Sequence, residues 1–421
     1  MTAASKTTGK PKDVAITDSY ATGDDVELKV PYSFNGSRMG LEEAEAVLRA
    51  LQQDSLTMGP EVRNFQEEFG AYVEAKHAFA TQSCTAALHL GTSLLHFKPG
   101  DEVITTPITF IATSLPLLKK DVVPVFADVD PRTTNIDPNK IEAKITRKTR
   151  AIYVVSYGGH PVDMDPIMDI ARQHKLWVLE DAAHSPGAVY KGRKVGTIAD
   201  ITCFSFHSLK NMTTGEGGML TTNNDTFADE APLLRTMGVK NYDNQADYWL
   251  PYHYDVVTVN GEFGMHYRMD EMRAAIGRAQ LRKLPQLNAE RAAIADYLNR
   301  GFAQIEGCTP PYVAPDCTPT WYLYTLQVDT QALGIDRDNF IRCLYRQGGV
   351  QPVQHYLPNY LFTIYKERGY KPGLCPVAED LFFHKNFNLP MHPRLTKQDC
   401  DYMIDGVAMA IKQSKKSNNG R

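Results

Sequence analysis

The chain has 421 residues, 43% of them hydrophobic, and a formal charge of −4 at neutral pH. This length and composition are typical of a globular protein with a large core, and the balanced charge gives no global electrostatic reason to bind nucleic acid or an anionic membrane. No apolar run reaches the ~18 residues of a membrane span, the polar N-terminus lacks a hydrophobic signal segment, and the seven cysteines include no CxxC pair. We therefore expect a cytoplasmic protein with reduced thiols, no zinc site and no disulfide framework.

Changes in composition divide the chain into parts. The first residues are rich in Thr, Ser, Gly, Lys and Asp, which is typical of a flexible tail. A Pro-rich segment at 308–320 is typical of a linker. The predicted parts are a flexible N-terminal tail at 1–28, a large domain at 29–285, a small α+β domain at 286–412 and a polar tail at 413–421.

Short β-rich runs alternate with helical patterns through the large domain. Several runs are almost continuously apolar, as strands covered by helices on both faces must be. The predicted strands are 77–81, 102–107, 123–129, 151–157, 176–181, 201–207 and 218–222. Their alternation with helices predicts an open α/β sheet that is mostly parallel. Since such sheets bind ligands at the carboxyl ends of their strands, we expect the site in the loops that follow these runs.

Helical periodicity accounts for much of the remaining sequence. The predicted helices are 41–54, 85–95, 110–120, 137–145, 165–175, 269–302 with an interruption at Pro285, 336–347, and a last one from Thr396 to about Ile411. A further strand is predicted at 321–329. The segment 240–263 is rich in aromatic residues, which is typical of a substrate-facing flap, a dimer contact or an ordered surface insertion.

One lysine has an unusual setting. Lys210 follows a predicted strand and lies between aromatic residues and a Gly-rich turn, in the stretch FSFHSLKNMTTGEGG. A partly desolvated amine in such a loop can form a Schiff base with an aldehyde. A lysine in an arbitrary loop is usually only a surface residue, so the neighbouring motifs must decide between the two interpretations.

An acidic residue ends the neighbouring strand. Asp181, in LEDAAHS, follows a buried apolar run, where a carboxylate needs a partner. A protonated pyridine nitrogen is one suitable partner, and this pairing keeps the ring of pyridoxal phosphate an electron sink. Asp181 equally fits the cap of the next segment. His184 could reach the ring's phenolic oxygen or could be a satisfied buried histidine.

Two further segments complete the set. Ser83, Cys84 and Thr85 begin a helix directly after a strand, which places free N–H groups and hydroxyls where a phosphate can bind. Phe110 follows the next strand and could stack on a flat ring, although a phenylalanine is more often a core residue. Each motif alone is weak, because every helix needs a cap.

Together, in this chain order, the segments resemble the DegT/DnrJ-type sugar aminotransferases. These belong to the fold type I, aspartate aminotransferase-like pyridoxal phosphate enzymes. The resemblance covers about residues 30–412 and is carried by TMGPEVRNFQEEF (57–69), SCTAALHL (83–90), TPITFIAT (106–113), LEDAAHSPGA (179–188), FSFHSLKNMTTGEGGM (204–219), HYRMDEMRAAIGRAQL (266–281) and LPMHPRLT (389–396). It implies a mixed, mostly parallel seven-stranded sheet flanked by helices, with a smaller C-terminal α+β domain.

The resemblance also implies roles for the matching residues. Lys210 corresponds to the lysine that holds pyridoxal 5'-phosphate and moves protons, Asp181 to the partner of the ring nitrogen and His184 to the neighbour of the phenolic oxygen. The remaining predicted contacts are Phe110 for ring stacking, Cys84, Thr85 and Ser205 for the phosphate, His266 for the phosphate of the neighbouring subunit, and His355 and Tyr356 for the substrate.

The chain departs from the family pattern at several positions. His266 stands where the family usually has Asn, and Cys84 where Gly is frequent, which a backbone N–H contact tolerates. Ser156, Met237 and Tyr322 each stand where His is common. These departures concern the substrate more than the chemistry. A branch of the family that dehydrates sugars has His in place of the lysine, so Lys210 favours transamination.

The resemblance implies a ping-pong transfer from glutamate or glutamine to a keto-sugar, most often nucleotide-linked, in a homodimer with sites at the interface. Two alternatives stay open. The acceptor could be an inosose or another keto-sugar without a nucleotide, since no basic cluster marks a diphosphate site. A protein of another class, a pyridoxal phosphate-binding sensor without turnover, would share the same motifs.

Overall fold

A computed structural model describes residues 26–33, 35–241 and 254–418 of the chain. The predicted N-terminal tail lies almost entirely outside the described residues. So do the middle of the aromatic segment 240–263 and the last three residues of the predicted C-terminal tail. Within the described ranges, no helix is both long and apolar enough to cross a membrane.

The described ranges contain helices and strands in alternation. The α-helices are α1 (Leu41–Ala50), α2 (Pro60–Val73), α3 (Cys84–Leu94), α4 (Leu115–Lys119), α5 (Met164–His174), α6 (Asp225–Arg235), α7 (Glu271–Phe302), α8 (Arg337–Arg346), α9 (Thr363–Lys366), α10 (Pro376–Asp380) and α11 (Lys397–Asn418). The strands are β1 (His77–Thr81), β2 (Glu102–Thr105), β3 (Val123–Phe126), β4 (Thr149–Val155), β5 (Trp177–Asp181), β6 (Val189–Tyr190), β7 (Arg193–Lys194), β8 (Ile201–Ser205), β9 (Gly218–Thr222), β10 (Val239–Asn241), β11 (Tyr254–Val256), β12 (Cys308–Thr309), β13 (Cys317–Thr318), β14 (Tyr324–Val328) and β15 (Asn386–Leu389).

The seven strands predicted in the large domain form one sheet, in the spatial order β1-β9-β8-β5-β4-β2-β3. The pairs from β8 to β3 are all parallel, and only β9 runs against its neighbours. The prediction of a mixed, mostly parallel sheet is therefore confirmed. Because the other six strands point the same way, their carboxyl ends meet at one edge, where the predicted site residues follow them.

Helices cover both faces of this sheet. On one face, α3 packs Leu88 and Leu94 against Leu179 and Ile201 of the central strands. On the other face, Ile167 of α5 packs with strand residues such as Val178. Every residue of β8 is consequently buried, which explains why the strand sequences are continuously apolar rather than alternating.

Some predicted helices differ from those observed. The segment 137–145 forms two 3-10 turns, Pro138–Lys140 and Glu142–Lys144, instead of an α-helix. An α-helix this short would form too few hydrogen bonds to offset the free-energy cost of helix nucleation. The segment 110–120 divides into a 3-10 turn, Ile111–Thr113, and α4.

The long helix also differs from the prediction, since α7 continues through Pro285 without interruption. A proline removes one intrahelical hydrogen bond. The packing of α1, α2 and α11 along α7 supports the helix on either side of this position. Residue 286, the predicted start of the small domain, lies inside α7, and the domain boundary stays a prediction.

The C-terminal region has its own core. Strands β12, β14 and β15 form a small antiparallel sheet, and α8, α11 and the second half of α7 pack around it through residues such as Phe302, Phe340 and Met403. The predicted linker is partly ordered as strand, because β12 pairs with β14 and β13 pairs with β6 of the large domain. The last helix ends at Asn418, later than predicted.

Candidate active site

The predicted site residues gather where the central strands end. Asp181 is the last residue of β5 and pairs in register with Val155 of β4 and Cys203 of β8. Ser205 ends β8, and Lys210 follows it in the connection to β9. The carboxyl edge of the sheet thus collects side chains from several connections, as expected for this topology.

Asp181 is buried and held from three sides. Thr113 donates a hydrogen bond from Oγ1 to its Oδ2 at 2.6 Å, the N–H of Ala183 donates to Oδ1 at 3.0 Å, and the Cys84 Sγ lies 4.0 Å from Oδ1. Burial raises the pKa of this carboxyl, against the lowering effects of these hydrogen bonds and of the nearby Lys210 charge. The carboxyl group therefore has one fixed orientation and an environment that favours pairing with a cation.

Lys210 carries a buried amine. Its Nζ lies 4.0 Å from the centre of the Tyr322 ring, and the described residues offer it no hydrogen-bond acceptor. Burial lowers the pKa of this amine to about 8, opposed by the attraction of Asp181. About a tenth of the amine is consequently neutral, and therefore nucleophilic, at pH 7, far more than for an ordinary lysine.

This lowered pKa has a measurable consequence. In the cofactor-free protein, acylation of Lys210 by an amine-specific reagent is expected to rise with pH and reach half its maximal rate near pH 8. The measurement is mass spectrometry of the labelled peptides. Lys191 is the internal control, because its contact with Asp165 raises its pKa above the ordinary lysine value. A midpoint for Lys210 that coincides with that of Lys191 would contradict the description of a desolvated amine.

His184 is a neutral residue in this cluster. Its Nδ1 accepts a hydrogen bond from the N–H of Gly158 at 3.2 Å, and its ring stacks on Tyr322 at 4.3 Å between centroids. Burial lowers its pKa well below the ordinary value. Because Nδ1 accepts, the neutral ring carries its proton on Nε2, which lies 3.4 Å from the Tyr356 hydroxyl.

The start of α3 has the features of an anion site. Ser83 caps the helix by accepting from the Ala86 N–H, which leaves the N–H groups of Cys84 and Thr85 without an intrahelical acceptor. Gly218 lies against this turn and is in register with both Thr81 and Ser205. A Cβ at Gly218 would come within 2.6 Å of the Cys84 nitrogen. Only glycine allows this close approach, which brings Ser205 beside the helix N-terminus.

Three of the other predicted residues lie beside the cluster around Lys210, whereas His266 lies apart from it. Phe110 is 55% exposed, which excludes the core alternative, and its ring centroid lies 6.1 Å from that of Tyr356. Tyr356 and His355 adjoin the cluster, since the Tyr356 ring centroid lies 6.0 Å from that of His184 and 4.6 Å from that of His355. Burial and the nearby Lys210 charge lower the pKa of His355 to about 4. His266 is exposed and forms a backbone bridge with Thr236. Within the described part of one chain, no contact joins His266 to the other predicted residues.

Three site features were missed in the sequence. Thr113, which orients Asp181, belongs to the TPITFIAT motif, but nothing in the motif indicates its partner. Tyr322 was noted only as a departure from the family pattern, yet it contacts both Lys210 and His184. Glu180 is buried behind Asp181, with Ser156 donating to its Oε1 at 2.6 Å, and burial raises its pKa to about 7.

The described residues contain no cluster of three or more metal-ligating side chains.

The desolvated lysine, the oriented acid and the helix N-terminus match the three reactive parts of pyridoxal phosphate, which are an aldehyde, a ring nitrogen and a phosphate. Their arrangement at the edge of a mostly parallel sheet defines a fold type I pyridoxal phosphate-dependent transferase. The comparisons with known proteins agree with this class.

Residues 37–408 match the sequence profile of the DegT/DnrJ/EryC1/StrS aminotransferase family. The chain is 39% identical to the spore coat polysaccharide biosynthesis protein SpsC of Bacillus subtilis, over 91% of this chain and 97% of SpsC. It is 35% identical to GDP-perosamine synthase of Caulobacter vibrioides, over 89% of this chain and 96% of the relative.

A solved structure shows the same fold. The putative sugar aminotransferase Spr1654 of Streptococcus pneumoniae superposes with a TM-score of 0.83 in its pyridoxamine phosphate form, at 28% identity, covering 91% of this chain and 99% of Spr1654. It is also known in a pyridoxal phosphate form.

The chain belongs to the DegT/DnrJ/EryC1/StrS aminotransferase family. It is a pyridoxal phosphate-dependent sugar aminotransferase. The resemblance, the fold class and the cofactor predicted from the sequence are confirmed, and the enzyme is favoured over the sensor without turnover.

Proposed function

We propose that this enzyme transfers an amino group from glutamate or glutamine to a nucleotide-linked keto-sugar in amino-sugar biosynthesis. The observation that carries this proposal is the buried Lys210 amine, with its pKa lowered to about 8, in the same cluster as the oriented Asp181. The similarity to GDP-perosamine synthase supports a nucleotide-linked amino sugar.

The chain's own residues have distinct tasks in this proposal. Bound pyridoxal phosphate supplies an aldehyde for covalent attachment and a ring that takes up electrons. Lys210 would be the attachment point. Once the donor has displaced it, its Nζ would carry a proton from the α-carbon of the amino donor to the former aldehyde carbon, and in the second half-reaction from that carbon to the keto carbon of the sugar. Asp181 would pair with the ring nitrogen, and His184 would lie beside the phenolic oxygen. The N–H groups of Cys84 and Thr85 and the Ser205 hydroxyl bind the phosphate.

The walls around Lys210 suit a sugar. Tyr322 lies against the amine, and Tyr157, Tyr322 and Tyr356 surround His184. Phe110 presents an exposed ring beside Tyr356. Aromatic faces combined with hydroxyl groups bind the apolar faces and the hydroxyls of a sugar ring. We assign His355 and Tyr356 to substrate contact on this basis, since the His355 Nδ1 is buried without a partner in the described part of the chain.

A half-reaction screen tests the proposal. The protein is loaded with pyridoxal phosphate, treated with glutamate or glutamine, freed of donor, and then offered keto-sugars with and without a nucleotide. Bleaching of the absorbance near 400–430 nm by the donor, and its recovery with nucleotide-linked keto-sugars, is the expected result. Recovery only with an inosose or a free keto-sugar would contradict the proposed acceptor, and failure of both donors would contradict the proposed donor.

We further propose a homodimer in which His266 binds the phosphate of the neighbouring subunit. His266 is exposed in the single chain and lies beside exposed apolar side chains, of which Phe263 is 78% exposed, Val256 60% and Met265 47%. Clustered apolar side chains of this kind are typical of a protein interface.

Mixed dimers test this arrangement. His266→Ala alone is expected to weaken cofactor retention, whereas His266→Asn, the residue that the family usually has, is the conservative control. Lys210→Ala and His266→Ala chains are then mixed equally, at a cofactor concentration that His266→Ala alone does not retain. Half of the dimers are mixed and each has one complete site, so we expect roughly a quarter of wild-type activity. Mixed dimers without recovered activity would contradict a site shared across the interface.

A further inference from the structure

A buried arginine lies behind the candidate site. Arg291, in α7, is fully buried, and its guanidinium donates hydrogen bonds to three backbone carbonyl oxygens. Nη1 donates to Trp321 and to Met391, each at 3.0 Å, and Nη2 donates to Gly36 at 2.6 Å. No ion pair involves Arg291 within the described ranges, and its Nε has no hydrogen-bond partner there. Burying a charge without a counter-ion costs free energy. We therefore expect Arg291 to have a specific structural role.

The contact with Gly36 leads to the backbone of Lys210. The N–H of Gly36 donates to the Ser208 carbonyl at 2.9 Å. A Cβ at Gly36 would clash with the Leu209 carbonyl and come within 2.6 Å of the Lys210 carbonyl. The segment around Gly36 therefore packs directly against the loop that carries Lys210. The hydrogen bond from Arg291 to the Gly36 carbonyl stabilises this packing.

The contact with Trp321 leads to the other side of the amine. Trp321 has a φ of +54°, a left-handed conformation that is unusual for a bulky side chain and persists only when its surroundings hold it. The next residue, Tyr322, places its ring 4.0 Å from the Lys210 Nζ and stacks on His184. The hydrogen bond to the Trp321 carbonyl thus fixes the backbone that aims Tyr322.

We propose that Arg291 is a positioning residue for the Lys210 amine. Through Gly36 it fixes the loop that carries the amine, and through Trp321 it fixes the Tyr322 ring that lies against it. A guanidinium suits this task because its donors point in several fixed directions at once, whereas a lysine ammonium cannot reach three separated carbonyls in the same way. This inference rests on the proposed role of Lys210.

Conservative variants test the inference, and another buried arginine is the control. Arg235 is also buried and donates to the Ala80 carbonyl and to Gln66, outside the Lys210 cluster. Arg291→Lys is expected to lower kcat roughly 10- to 100-fold, because small misplacements of a reacting group are costly. It is also expected to shift the labelling midpoint of Lys210 upward by about one pH unit, as water reaches the amine. Arg235→Lys should lower Tm without moving that midpoint.

The outcomes separate the inference from the proposed function. A folded Arg291→Lys protein with the wild-type labelling midpoint and kcat overturns the inference. If that variant does not fold, Arg291→Gln, which removes the charge and keeps an amide donor, tests the same contacts, and an unshifted midpoint and kcat in a folded Arg291→Gln protein overturn the inference equally. If the cofactor is not attached to Lys210, the proposed function fails instead, whatever the variants of Arg291 do.

Discussion

Replacement of Lys210 by alanine is expected to lower turnover by at least about 10⁴-fold, because the same amine is the covalent attachment point and the proton carrier. Within the described ranges, no other lysine is assigned to this cluster, so no second amine replaces it. The measurement is the steady-state rate with donor and keto-sugar, together with single-turnover spectra. Retained transamination by Lys210→Ala would refute the assignment.

The fold of the Lys210 variants is expected to persist. In the cofactor-free protein the amine has a pKa of about 8, below the ordinary value of an unfolded lysine, so the buried ammonium opposes folding at neutral pH by about 3 kcal/mol. The unfolded chain binds more protons between about pH 8 and pH 10.5, so stability rises with pH in that window. Lys210→Met should therefore be at least as stable as the wild type at pH 7, while the surface variant Lys191→Ala should not gain stability.

Replacement of Asp181 by asparagine is the second large effect. Asparagine has nearly the same shape and can still accept from Thr113 or the Ala183 N–H, but it has no charge to pair with a ring nitrogen. We expect proton removal from the donor to slow by about 10²- to 10³-fold, in the range found when one preorganised electrostatic partner is lost. The measurement is the rate of the donor half-reaction in single turnover.

Asp200 is a matched control for Asp181. It is a partly buried carboxylate with a raised pKa that accepts from the Val178 N–H at 2.8 Å, at the opposite end of the same strand pair. Asp200→Asn should affect stability but leave the half-reaction rate near that of the wild type. An Asp181→Asn rate near wild type, or an equal fall in both variants, would show that Asp181 is not the ring partner.

The sheet could be predicted from sequence because its strands are short, β-rich and apolar on both faces. Burial under α3 and α5 imposes that pattern directly on the residues. Asp181, Ser205 and Lys210 could be found for a related reason, since polar residues at the carboxyl ends of such strands meet at one edge.

The errors and omissions also have physical causes. The segment 137–145 has helical periodicity, but it is too short for its hydrogen bonds to offset the free-energy cost of helix nucleation. Pro285 breaks the local pattern, yet packing along α7 carries the helix through it. Arg291 could not be predicted as part of the site, because its contacts with Gly36, Trp321 and Met391 join segments far apart in sequence. Thr113 is a similar case, since only the fold brings it to Asp181.

The most direct test is to reduce the protein loaded with pyridoxal phosphate with borohydride and to map its peptides by mass spectrometry. We expect one cofactor mass, on the peptide that contains Lys210. Attachment to a different lysine, or no attachment in protein supplied with the cofactor, would contradict it.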